Sequence, residues 1–267
     1  MNGEAPVGRI GDWDPVDDDA APWPRYERRA GPGVILLHEF PGITPEVLGL
    51  GDFLFESGFT VVIPHLFGVR GEKGNLVSNA RTGARLCVSR TFQAWALGAD
   101  RPIARQLRAF AAQLAERTGG QVGVIGMCFT GGFALAAAVD PRVAAPVVSQ
   151  PSIPIALPGR RRSDTGVSEE ELAEVHRRTS EEGLCVLGLR FSEDLISPGA
   201  RFEALTKRLG TGFRVIELDS SRGNPDKFGR CAHSVLTAEV REKQRNAATT
   251  ARDEVAAFLH ERLDAGR

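Results

Sequence analysis

The stretch VGVIGMCFTGG, residues 122–132, decides the fold of this chain. It opens with a short apolar run of the kind that forms a strand buried on both faces of a parallel sheet. It then passes through closely spaced glycines into the apolar segment Phe133 to Val139, which predicts a helix. Cys128 falls at the junction, where small neighbours give room for a tight strand-to-helix turn that exposes a nucleophile.

Other short apolar runs on both sides of this stretch have the same length and β-branched content. The predicted strands are 34–37, 60–63, 122–125, 143–148, 185–189 and 213–218. Helical patterns separate them, and the predicted helices are 45–57, 102–117, 169–181, 198–209 and 249–263. Strands that alternate with helices predict an α/β fold with an open, mostly parallel central sheet flanked by helices.

The first 30 residues have a different composition, since they are rich in Asp and Pro and contain no long apolar run. We therefore predict that residues 1–30 form a peripheral extension without core elements. No long linker or internal repeat divides the rest, so residues 31–267 are predicted to form one domain. Residues 156–183 have the character of an insertion within it.

Charge and composition exclude several classes of function. Lys and Arg number 33 against 34 Asp and Glu, so the formal net charge is −1 and offers no general attraction for a polyanion. Hydrophobic residues make up 42% of the 267 residues, as in an ordinary globular protein. No apolar run approaches the roughly 18 residues of a membrane span, and the N-terminus does not resemble a signal peptide. The sequence predicts a cytoplasmic protein that binds neither nucleic acid nor membrane, and it leaves the oligomeric state open.

The four cysteines do not have the spacing of a metal site or a compact disulfide framework. Cys87, Cys128, Cys185 and Cys231 lie far apart, with no C-x-x-C motif. The glycines after strand 122–125 also lack the G-x-G-x-x-G spacing of a dinucleotide site and the Lys of a phosphate-binding loop. The sequence therefore predicts no metal and no cofactor.

Reactive residue types follow three of the predicted strands, at the end of the sheet where open α/β folds place their chemistry. Cys128 follows strand 122–125, Asp194 follows strand 185–189, and His233 closes the polar loop after strand 213–218. A cysteine nucleophile needs a base, and the base needs an orienting acid. The order nucleophile, acid, base is that of the α/β hydrolases. The alternative for Cys128 is a buried structural cysteine in a glycine-rich turn.

The loop after the first core strand reads His38-Glu39-Phe40-Pro41-Gly42. A charge directly after an apolar strand is unusual, so Glu39 is predicted to belong to the site. In this fold the oxyanion hole uses the backbone N–H that follows the nucleophile and one from an early loop. These would be the N–H groups of Phe129 and Phe40.

Taken together, these motifs resemble the dienelactone hydrolases, or carboxymethylenebutenolidases. The resemblance covers residues 31–265 and includes the stretch from Gly58-Phe59 to Leu66-Phe67. Its most specific element is the early Glu39 loop combined with a cysteine instead of a serine at the turn. The resemblance implies that Cys128 is the nucleophile, His233 the base and Asp194 its orienting acid. It also implies that the carboxylate of Glu39 contacts the resting thiol and helps to control its ionisation.

The chain departs from this family after the histidine. Dienelactone hydrolases place an arginine there to hold the substrate carboxylate, whereas this chain continues Ser234-Val235-Leu236-Thr237. A substitute would have to come from Arg81, Arg85, Arg90 or Arg230. Without one, we expect neutral activated esters to be hydrolysed at least as well as an anionic dienelactone. The pocket mouth is then predicted to be lined by Phe40, Phe129 and Val235.

The sequence therefore predicts a hydrolase of a small activated ester, lactone or thioester that acts through an acyl-cysteine intermediate. Good leaving groups are favoured because a tetrahedral intermediate expels a thiolate before a poor alkoxide or amine. The alternative is a non-catalytic small-molecule binding or thiol redox-sensing protein on the same fold, since an exposed thiolate is also what oxidants attack.

Overall fold

The computed structural model describes residues 4–19, 21–88, 101–152 and 162–264, with the side chains of 85–88 left out. Arg90 and the start of the expected insertion lie outside the described residues. So do the side chains of Arg85 and Cys87.

A central sheet of eight strands organises the described part of the chain, in the order β1-β2-β5-β3-β7-β8-β9-β10. Its strands are β1 Asp14–Val16, β2 Arg25–Arg28, β3 Gly33–Leu37, β5 Thr60–Pro64, β7 Val122–Met127, β8 Val143–Ser149, β9 Val186–Phe191 and β10 Phe213–Leu218. A separate parallel pair is formed by β4 Gly42–Ile43 and β6 Val69–Arg70. From β5 to β10 every pairing is parallel, whereas β1 and β2 are antiparallel to their neighbours. All six predicted strands are confirmed to within two residues at their ends.

Helices connect the parallel strands. They are α1 Pro45–Glu56, α2 Leu76–Val88, α3 Pro102–Thr118, α4 Gly131–Ala137, α5 Glu169–Glu181, α6 Gly199–Leu209 and α7 Ala247–Leu263. The capping box at the start of α5 forms as the sequence predicts, because Ser168 and Glu171 exchange side-chain to backbone hydrogen bonds of 3.0 and 3.1 Å. The sequence did not predict α2, β4 or β6.

The expectation that residues 1–30 hold no core element is wrong. β2 pairs with β5 at the edge of the sheet, and Trp13 and Trp23 are buried. The polar composition concealed this strand because its two buried charges neutralise each other: Arg25 Nε lies 2.8 Å from Glu27 Oε1. A buried charge is tolerated where it is paired and hydrogen-bonded. The division at residue 30 stays a prediction.

The core lies on both faces of the sheet. Along β3, Val34 and Leu36 pack into one apolar cluster and Ile35 and Leu37 into the other, with no exposed surface on any of them. This two-sided burial explains why the strands read as continuous apolar runs. Because these strands are parallel, their carboxyl ends lie at one edge of the sheet, where the polar residues of the loops meet. Over the described residues, no helix is long and apolar enough to cross a membrane.

Candidate active site

Cys128 lies on a sharp turn between β7 and α4. The chain makes a 3-10 turn over Cys128–Thr130, and Cys128 adopts a φ of +52°, in the left-handed region that non-glycine residues seldom enter. Gly126 makes this possible, because a Cβ at that position would lie 2.4 Å from the carbonyl oxygen of Thr130. The hydroxyl of Thr130 accepts the backbone N–H of Met127 at 3.0 Å. This hydrogen bond to Thr130, two residues after the cysteine, stabilises the turn.

His233 and Asp194 form a buried hydrogen-bonded pair. The Nδ1 atom of His233 lies 2.6 Å from Oδ2 of Asp194, which is only 4% exposed. The other carboxylate oxygen accepts the backbone N–H groups of Ile196 (2.9 Å) and Ser197 (3.1 Å). Asp194 is thereby fixed in place and can orient the imidazole ring.

The environment of His233 favours its protonated form. Burial lowers the pKa of His233, but the hydrogen bond with Asp194 and the nearby negative charges of Cys128 and Asp194 outweigh burial and raise this pKa to about 10. The Nε2 atom is buried and has no hydrogen-bond partner among the described residues that meets bonding geometry. The structure thus brings Cys128, His233 and Asp194 together, with Nε2 facing the site.

This raised pKa of His233 predicts how the stability of the fold depends on pH. A histidine whose pKa rises from 6.5 to about 10 on folding stabilises the protein fully below pH 6.5, and this contribution is lost as pH rises through 10. The difference in unfolding free energy between the wild type and His233→Gln should therefore shrink with rising pH, by at most about 1.4 kcal/mol per pH unit. Urea unfolding of both proteins at several pH values between 6.5 and 10 measures this difference in unfolding free energy. If the difference in unfolding free energy does not change with pH, folding does not raise the pKa of His233.

The predicted contact between Glu39 and the thiol is not present. The Glu39 carboxylate is buried and accepts hydrogen bonds from Gln150 Nε2 (3.2 Å), Ser234 Oγ (2.9 Å) and the hydroxyl of Thr237. Among the described residues, the hydrogen bonds of the carboxylate go to these three donors and not to the sulfur. The described hydrogen bonds connect Glu39 to Ser234 and Thr237, in the loop that follows His233, and its place in the catalytic site stays a prediction.

The sulfur instead contacts Ser152, which the sequence analysis missed. Cys128 Sγ and Ser152 Oγ are 3.0 Å apart, and the backbone N–H of Ser152 donates to the carbonyl oxygen of Cys128 at 2.9 Å. The available signal was the run Ser149-Gln150-Pro151-Ser152 directly after the predicted apolar strand 143–148, the same pattern that singled out Glu39.

The two predicted oxyanion donors are backbone N–H groups, one in the loop after β3 and one in the turn after β7. Phe129 follows the nucleophile within the turn, and its ring packs edge-on against Phe133. The backbone N–H of Phe40 donates to none of the residues that the structure describes. This N–H group therefore stays a predicted oxyanion donor.

The arginines and the apolar rim differ from expectation. Arg230 pairs with Glu193 at 3.3 Å, and Arg81 is exposed on α2. Val235 is fully buried in the core, so the prediction that it lines the pocket mouth is wrong. The sequence analysis also missed Arg201, which is 3% exposed and donates to the carbonyl oxygens of Asp164 and Pro151.

Arg201 carries its charge close to the nucleophile. Burial lowers the pKa of Arg201 to about 10, and the negative charges of Asp164, Asp194 and Cys128 oppose this shift. Among the described residues, no group of three or more His, Cys, Asp or Glu could hold a metal ion.

The fold is that of the α/β hydrolases. A dienelactone hydrolase-like promiscuous phosphotriesterase from metagenomic libraries superposes with a TM-score of 0.61 at 15% identity, covering 98% of this chain and 100% of its own. TT1662 from Thermus thermophilus gives 0.55 at 15% identity, covering 93% and 97%. Est1E from Butyrivibrio proteoclasticus gives 0.51 at 12% identity, covering 93% and 98%. At these identities the likeness establishes the fold alone.

The sequence itself assigns the family. The model of the dienelactone hydrolase family matches residues 23–187, more than half of the chain. The chain belongs to the dienelactone hydrolase family and is a hydrolase that acts on ester bonds. A search of curated proteins found no match.

Proposed function

We propose that this protein hydrolyses a small activated ester, lactone or thioester through an acyl-cysteine intermediate. Cys128 is the nucleophile, His233 the general acid and base, and Asp194 the carboxylate that orients His233. The observation that carries the proposal is the 2.6 Å hydrogen bond between His233 and Asp194 beside a cysteine on a strained turn.

In the first half of the reaction the sulfur attacks the substrate carbonyl carbon. Nε2 of His233 holds the proton that the sulfur gives up, as the raised pKa of this histidine favours, while a C–S bond forms and the carbonyl electron pair moves onto oxygen. The N–H groups of Phe40 and Phe129 stabilise this oxyanion. When the intermediate collapses, the bond to the leaving group breaks and His233 returns the proton to it. An acyl-cysteine remains.

In the second half, water replaces the leaving group. His233 takes a proton from the water as its oxygen bonds to the acyl carbon. The C–S bond then breaks, the acid is released, and the thiol regains its proton. Neither half consumes an oxidant or a cofactor.

A burst experiment tests the proposal against the redox-sensing alternative. Mixing the protein with p-nitrophenyl acetate should release about one equivalent of p-nitrophenolate per active site before the steady state. The burst reports formation of the acyl-enzyme faster than its hydrolysis. A protein that reacts with hydrogen peroxide at Cys128 but releases no p-nitrophenolate would be a sensor and would refute the proposed hydrolysis.

Alkylation identifies the reactive cysteine independently of turnover. Near neutral pH, iodoacetamide should label Cys128 at least about tenfold faster than Cys87, Cys185 or Cys231, because Cys128 lies on the strand-to-helix turn close to the imidazole of His233. Cys231 is the informative control, since it is exposed and lies two residues from His233. Peptide mapping that finds Cys231 labelled first removes Cys128 as the nucleophile.

The missing arginine predicts substrate preference. Thr237, in the region where the family has an arginine, donates its hydroxyl to Glu39. Loss of a charge-assisted contact of about 1.5 to 3 kcal/mol costs an anionic substrate roughly one to two decades in kcat/KM. We therefore expect p-nitrophenyl esters to be hydrolysed at least as well as cis-dienelactone. A strong preference for the dienelactone that Arg230→Ala abolishes contradicts this expectation.

A further inference from the structure

The sulfur of Cys128 is held by the loop that follows β8. Two hydrogen bonds join this loop to the turn: Ser152 N–H donates to the Cys128 carbonyl at 2.9 Å, and Ser152 Oγ lies 3.0 Å from Sγ. The loop is itself anchored, because the backbone N–H of Gln150 donates to the carbonyl of Leu189 at 2.7 Å. These backbone hydrogen bonds fix the position of Ser152 and thereby place its hydroxyl next to the sulfur.

The Glu39 carboxylate, which the sequence predicts to contact the sulfur, already has other hydrogen-bond partners. This carboxylate accepts hydrogen bonds from Gln150, Ser234 and Thr237. Within the part of the chain that the structure describes, Ser152 Oγ has one hydrogen-bond partner, the sulfur. Either atom of this pair can donate, and the hydroxyl has no other acceptor among the described residues.

We infer that Ser152 is a further catalytic residue, which donates its hydroxyl hydrogen bond to the Cys128 sulfur and so stabilises the thiolate. This inference rests on the proposed function, because it takes Cys128 as the nucleophile. On ionisation the proton passes from Sγ to Nε2 of His233, and Ser152 keeps its own proton. A hydrogen bond to the charged form of a group favours that form. The nucleophile is then activated by a neutral hydroxyl, while Glu39 organises the histidine loop.

The isosteric pair Ser152→Thr and Ser152→Val isolates the hydroxyl. Threonine keeps the hydroxyl and valine replaces it by a methyl group of the same shape. The rate of alkylation of Cys128 by iodoacetamide, followed across pH by peptide mapping, gives the pH at which half of the thiol reacts. We expect this midpoint to rise by about one pH unit in Ser152→Val, with about tenfold slower labelling below it. Ser152→Thr should remain within a few tenths of a unit of the wild type.

Ser57→Ala is the matched control. Ser57 is also half-buried and hydrogen-bonded, with Oγ 2.8 Å from the carbonyl of Phe53, but it precedes β5 at the opposite end of the sheet. The pH midpoint for alkylation of Cys128 in Ser57→Ala should equal that in the wild type. Thermal unfolding of all variants separates loss of folding from loss of the hydrogen bond.

Two results overturn the inference. An unchanged midpoint in a folded Ser152→Val protein shows that the hydroxyl does not act on ionisation. A lower midpoint shows that the thiol donates to Oγ, so that Ser152 stabilises the neutral form. Failure of the proposed function is recognised separately, because a wild type without an acylation burst still yields an alkylation midpoint.

Discussion

Replacing Cys128 by alanine is expected to abolish turnover of p-nitrophenyl acetate. Removal of the attacking atom leaves only the oxyanion donors and substrate binding, so kcat should fall by about 10⁴-fold or more. The burst should disappear with it. Stability should change little beyond the loss of one sulfur contact, since Cys128 is only partly buried at the edge of the core.

Cys231→Ala provides the matched comparison. Cys231 is a free and exposed cysteine in the same loop as His233, and it has no place in the proposed chemistry. Its alanine variant should keep the burst and the steady-state rate within about twofold. If Cys128→Ala keeps most of its activity, or if Cys231→Ala loses it, the nucleophile has been misassigned.

Asp194→Asn is expected to lower kcat by about 10³- to 10⁴-fold with little change in KM. The carboxylate accepts from Nδ1 of His233, and an amide can donate there instead and stabilise the wrong tautomer. The raised pKa of His233 should also fall, because its partner no longer carries a charge. Steady-state kinetics with a neutral ester measure both parameters.

The neighbouring acid supplies the control for this prediction. Glu193 is exposed enough to pair with Arg230 at the surface, with a distance of 3.3 Å between their charged atoms. Glu193→Gln should leave kcat within about twofold. A damaging Glu193→Gln combined with a mild Asp194→Asn would mean that the acid has been misassigned.

Most of the sheet could be predicted because its strands are buried on both faces. Runs such as Val34 to Leu37 have no polar alternation, and their length and β-branched residues separate them from helices. β2 was not predicted because two of its buried side chains are charged and pair with each other. The pairing of Arg25 with Glu27 is visible in three dimensions but has no apolar signature in the sequence.

The residues proposed for catalysis could be predicted for a topological reason. Parallel strands bring the residues after β7, β9 and β10 to one edge, so a cysteine, an aspartate and a histidine in those loops are expected to meet. The partner of each side chain could not be predicted in the same way. Glu39 was expected to contact the thiol but bonds the histidine loop, and Ser152, for which no role was expected, contacts the sulfur. These hydrogen bonds of about 3 Å depend on loop conformations that no periodicity encodes.

The most direct test of the proposed mechanism is to trap the acyl-enzyme. The protein is mixed with p-nitrophenyl acetate, quenched in acid within the burst phase, and analysed by intact and peptide mass spectrometry. The account predicts a single acetyl group on the peptide that contains Cys128, absent from Cys128→Ala and lost on longer incubation as water hydrolyses the thioester. Turnover with no adduct on Cys128, or with the acetyl group on another residue, would contradict it.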